Sequence, residues 1–111
     1  MKKLFKNYDY SFEKNDANLI TTFCRQAIKQ MASDERFLPD IKAYQSIIAK
    51  IDSDASKVKL TKDEKTRLVK QIEENVKVYQ KEISKAWFLK RWMYKSMLSQ
   101  YKLLLTKYFE D

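Results

Sequence analysis

Cys24 is the one thiol in this chain, and histidine is absent. Without an imidazole, neither a Ser-His-Asp nor a Cys-His nucleophile system can be assembled. The usual Cys/His zinc sites are excluded for the same reason. Cys24 falls between Ile20 and Ile28 on an apolar stripe of helical spacing. No base stands beside it, so it reads as a structural thiol in a reducing compartment. The carboxylates offer no paired acid and base. Glu73 and Glu74 are adjacent, so they do not share a helix face. Asp63 and Glu64 stand where a first helical turn would place them, favourably in the helix dipole. The chain has no glycine, which removes EF-hand loops and both kinds of glycine-rich phosphate loop. The expectation is a protein without catalysis, cofactor or metal.

Binding chemistry is better represented. The stretch "KAWFLKRWMYKSMLSQYKLLLTKYF", Lys85 to Phe109, carries seven aromatics and six basic residues but no acidic one. On a helical wheel Arg91, Lys95 and Lys102 fall within about 40° of one another, a basic stripe bordered by Ser99 and Thr106. Ala86, Met93, Met97, Tyr101, Leu104 and Tyr108 gather on a broad apolar side, which Trp87, Leu98 and Leu105 widen. The first reading is therefore a core helix with a thin solvated stripe. The tryptophans exceed that reading. Trp87 and Trp92 diverge by about 140°, so one seam cannot bury both. Phe88 lies near Trp92, away from the main arc. These two are the candidate anchors of an exposed aromatic patch, and such patches mark interfaces. Arg91, Lys95 and Lys102 would then orient an acidic partner.

Charge supports a partner of that kind. The net charge is +8, and the excess sits at the two ends of the chain. If the N-terminus folds near the last helix, Lys2, Lys3, Lys6, Arg91, Lys95 and Lys102 make one patch for phosphate backbones, the alternative nucleic-acid reading. Lysine far outnumbers arginine, which weighs against reading of bases.

The elements that would hold these groups follow from periodicity. Residues 1–14 form a basic and aromatic arm, and residues 15–111 one helical domain. In the arm Tyr8, Tyr10 and Phe12 alternate, as an extended piece or as rings pinning the arm. A first helix is expected from a cap at Asn15 or Asp16, with Leu19, Ile20, Phe23, Cys24, Ala27, Ile28 and Met31 on its buried face, to about Ser33. After "SDERFLPD", Phe37, Ile41, Tyr44, Ile48 and Ile51 mark a second helix to about Asp52. The turn is too long for a tight helix-turn-helix. "DSDASKVK" reads as a linker. "TKDE", Thr61 to Glu64, has capping-box spacing. Val69, Ile72, Val76, Tyr79, Ile83 and Ala86 then form one seam, which fails at Lys90. Either the helix bends near residues 84–90 or it runs unbroken for about 70 Å, a length that calls for a homodimer or an extended partner.

The fold class is all-α, a three- or four-helix bundle with an N-terminal arm. The favoured function is that of a small, cytoplasmic, non-enzymatic adaptor, inhibitor or immunity-type protein, suited in size to a phage or mobile-element regulator. It would dock its aromatic, basic C-terminal helix on a larger, acidic protein. A third reading docks the bundle on a membrane surface or membrane protein.

Overall fold

The computed structural model describes residues 8–110 of the 111. It is all-α apart from one small two-stranded ribbon. The elements run β1 (Tyr8–Tyr10), α1 (Lys14–Met31), a 3-10 turn (Glu35–Phe37), α2 (Leu38–Ser53), β2 (Val58–Leu60), α3 (Lys62–Lys85), α4 (Phe88–Leu104) and a terminal π turn (Leu105–Phe109). The chain divides into two compact units, one ending at Leu68 and one beginning at Val69, so that α3 contributes its first turns to the first unit and the remainder to the second.

In the first unit α1 and α2 share an apolar core. α1 buries Ala17, Ile20, Phe23, Cys24 and Ala27, and α2 buries Ala43, Tyr44, Ile47 and Ile51. The α1 stripe follows the expected spacing, with Leu19, Ile28 and Met31 half-buried at its margins. The α2 stripe is centred differently from the sequence reading: Ile47 is fully buried and Ile48 only partly, while Phe37 is exposed. Phe37 stands outside α2, in the 3-10 turn that Asp34 caps by accepting the Arg36 amide. The side chain therefore does not share the α2 face, and the stripe is set by Tyr44 and Ile47, about two and three turns later. α1 starts two or three residues earlier than expected, with Glu13 rather than Asn15 or Asp16 at the cap and no side-chain capping bond. It ends at Met31 rather than Ser33.

The segment read as a linker holds β2. Asp54 accepts from the amide and the hydroxyl of Ser56 at 3.0 and 2.6 Å, an aspartate turn that reverses the chain without glycine. Val58 and Leu60 then point into the core and Lys59 points out, the two-residue alternation of a strand. β2 pairs antiparallel with β1, Tyr8 opposite Leu60 and Tyr10 opposite Val58. The alternation of Tyr8 and Tyr10 is thus that of a true strand. Phe12 follows, buried, its ring stacked on Tyr10 at 5.3 Å and its amide donating to the Ala55 carbonyl.

α3 opens on the expected capping box. The Thr61 hydroxyl accepts the Glu64 amide at 3.0 Å, and a Glu64 carboxylate oxygen accepts the Thr61 amide at 2.9 Å. Two ion pairs reach this turn from α2: Lys50 to Glu64 at 2.6 Å and Asp40 to Arg67 at 2.6 Å.

In the second unit the α3 seam includes Ile72 and Val76, both buried, and the half-buried Tyr79 and Ile83. α4 and the π turn bury Tyr101, Leu104 and Phe109. Tyr79 stacks against Tyr94 at 5.8 Å and against Tyr101 at 5.9 Å, so the chain doubles back between α3 and α4. The long helix is indeed broken, at Ala86 and Trp87. Neither proline nor glycine makes the break. An unbroken α3 would carry Lys90 into the apolar seam; turning at residue 86 instead brings Tyr94, Met97 and Tyr101 inward and leaves Lys90 in water.

Candidate docking surface

The second unit turns its most apolar sequence outward. Trp87 is 79% exposed, Phe88 73%, Leu89 66% and Trp92 75%, with Met93 and Leu103 also exposed. The cause lies in α4. Tyr101 and Leu104 are buried and Tyr94, Met97 and Leu98 half-buried, which fixes the inward arc of the helix. Phe88, Trp92, Lys95, Ser99 and Leu103 fall on the opposite arc at about 100° per residue.

The corner itself is built by Trp87. Its backbone is extended (φ −58°, ψ 157°), and its carbonyl accepts the Arg91 amide at 2.7 Å, the bond that opens α4. It therefore occupies the helix cap. Its side chain makes no capping bond, at a position where Ser, Thr, Asp or Asn would. The Arg91 guanidinium donates to the Ala86 carbonyl at 3.3 Å, holding the cation beside the corner. Lys85, Lys90, Lys95 and Lys102 are exposed, and among the described residues they form no ion pair with a carboxylate.

Of the five residues the sequence pattern singles out for a partner, Phe88, Trp92 and Lys95 lie on this outward arc, and Arg91 and Lys102 are exposed at its edge, Lys102 about 15 Å further along the helix than Trp92. Lys2, Lys3 and Lys6, the remaining candidates for nucleic-acid binding, lie outside the described residues. Trp87 and Met93 differ from expectation. By spacing Met93 belongs to the broad apolar side and Trp87 widens it, yet both are exposed, because residues this close to the break precede the turns that pack. Leu89 and Lys90 also belong to the surface. The signal that could have found them was present: three successive large apolar residues at the point where the α3 seam fails.

The other chemically capable groups are engaged in the fold. Burial pushes the Cys24 thiol up to about 12, against a small opposing effect of Arg25. Tyr44 is raised by burial and by the neighbouring Asp40, and its hydroxyl donates to the Arg67 carbonyl at 3.3 Å. Among the described residues no cluster of His, Cys, Asp or Glu could hold a metal ion, and no helix is long and apolar enough to cross a membrane. A scan against protein-family models and searches of curated proteins and of solved structures found no match.

Proposed function

We propose that this chain is a small, cytoplasmic, non-enzymatic binding protein that docks the α3–α4 corner and the outer face of α4 on a larger anionic partner, as an adaptor or inhibitor does. The observation that carries the reading is the exposure of Trp87, Phe88, Leu89 and Trp92, each about two-thirds or more accessible, on adjoining turns. Isolated surface apolar residues need no explanation, but a contiguous patch of aromatics does. Tryptophan is among the residues that dominate binding energy when desolvated. The surrounding cations, with no acidic residue between Lys85 and Phe109, supply steering and orientation.

The test is site-specific photo-cross-linking from position 96, beside Trp92, in the native cells. Wild type is compared with Phe88→Ala/Trp92→Ala and with Lys95→Glu/Lys102→Glu. Both variants are expected to keep the wild-type circular dichroism spectrum. The first should lose the cross-linked species, and the second should form it more slowly and with altered salt dependence. An aromatic double variant that cross-links like wild type would remove the reading.

A further inference from the structure

Resting on that docking reading, we infer that the anionic partner is a lipid surface: the α3–α4 corner is a membrane-interface tip that binds an anionic leaflet peripherally. The geometry at the break distinguishes this occupant from an acidic protein groove. Phe88 and Leu89 open α4 about 100° apart, and Trp87 precedes them on the extended cap residue, so the three exposed side chains do not follow one helical stripe. Trp92 and Met93 extend the set by one turn. A helix read by a protein groove presents one stripe of anchors at three- and four-residue spacing. Phe88, Leu89, Trp92 and Met93 keep that spacing, but Trp87, on the extended cap residue ahead of the helix, stands outside it and would be left at the rim of such a groove. The interface of a bilayer closes around a protruding tip from every side, so all of them are desolvated together.

The residue types agree. Tryptophan is enriched at the membrane interface, where its ring body lies among acyl chains and its N–H stays at headgroup level. The cations that accompany the tip, Lys85, Lys90, Arg91 and Lys95, can lay their aliphatic stems along the apolar surface while the charge reaches phosphate. They are exposed, and no carboxylate pairs with them among the described residues, so an anionic leaflet complements a charge that no described carboxylate neutralises. Neither apolar insertion nor charge alone holds a peripheral protein firmly; the two together do. Insertion is confined to the tip. The C-terminal half of α4 is committed to the core through Tyr101 and Leu104, and no helix among the described residues could cross a bilayer.

The tip also contains its own reporters. Purified full-length protein is titrated with vesicles of phosphatidylcholine alone and of phosphatidylcholine with about one-third phosphatidylglycerol, a strongly anionic surface. Co-sedimentation, tryptophan emission and quenching by bromine-labelled lipid are measured. Binding is expected on the anionic vesicles only, with a blue shift and with quenching at interfacial depth. Phe88→Ala/Leu89→Ala keeps both tryptophans and should weaken partitioning about tenfold or more, as the removed apolar area implies. Arg91→Gln/Lys95→Gln should weaken it about fivefold per charge.

Equal binding to both vesicles, or binding to neither, overturns the lipid assignment. If vesicles are ignored but Phe88→Ala/Trp92→Ala still loses its cross-linked species, docking stands and its occupant is an acidic protein. If neither assay responds to the corner, both readings fall.

Discussion

Glu64 is a buried carboxylate whose environment is fully accounted for. It accepts the Thr61 amide, receives the Lys50 ammonium at 2.6 Å, and is also hydrogen-bonded by Ser46. Burial alone would push its pKa up, but these donors outweigh the burial and hold the group below the ordinary glutamate value of 4.5. The sign of the resulting linkage is fixed. A carboxyl depressed in the folded state contributes stability at pH values above its unfolded pKa, and that contribution is lost as pH falls through the folded pKa. Glu64→Gln, which keeps an acceptor for the cap, should therefore cost about 1 kcal/mol at neutral pH. It should also flatten the loss of stability below the ordinary glutamate range. Urea unfolding of both proteins at neutral and acid pH checks this; parallel pH profiles would contradict it. The "TKDE" spacing announced the cap, because the cap is made within four residues. It could not announce Lys50, which lies 14 positions away in sequence and arrives only when α2 packs beside the start of α3.

At the scale of elements, the break between α3 and α4 controls the protein's surface. A tryptophan at a helix cap contradicts local preference, and such contradictions concentrate at functional sites. Trp87→Ser should supply the missing cap and raise stability by about 0.5–1 kcal/mol. The same change should weaken docking, because it removes one member of the aromatic patch. Thermal unfolding and amide hydrogen exchange across α4 measure the first effect, and the docking assays measure the second. A substitution that lowered both would mean that Trp87 supports the fold. The position of the break was legible as the failure of a seam at Lys90. Its consequence was not. Helical periodicity reports which residues share a face, and it treats residues on either side of a break as one helix. Trp87 and Met93 were assigned to the buried side for that reason. β2 was missed because three residues carry too little alternation to be distinguished from a polar linker; its pairing with β1 is a contact across about fifty positions.

For the whole molecule, stability and docking should separate. The fold rests on fully buried groups such as Ile20, Ile47, Leu68 and Ile72, each 0% accessible. Ile47→Ala should cost about 2–5 kcal/mol, a large part of the roughly 5–15 kcal/mol that a small domain has in total. Phe88→Ala/Trp92→Ala removes more side-chain volume, yet should shift stability by no more than about 0.5 kcal/mol, because both rings are already in water. Chemical denaturation of the two variants side by side makes the comparison. A large loss in the aromatic variant would place those rings in the core.

The sequence by itself determined the helical class, the exclusion of histidine- and glycine-dependent chemistry, the α1 stripe, the α3 cap and seam, and the composition of the docking stretch. All of these depend on residue type or on neighbours within a few turns. Only the tertiary structure decided which side of α4 faces inward, because that choice was made by Tyr79 stacking on Tyr94 and Tyr101. A helix that is apolar nearly all round has several faces it could bury. The rings that packed became core, and the tryptophans left over became surface.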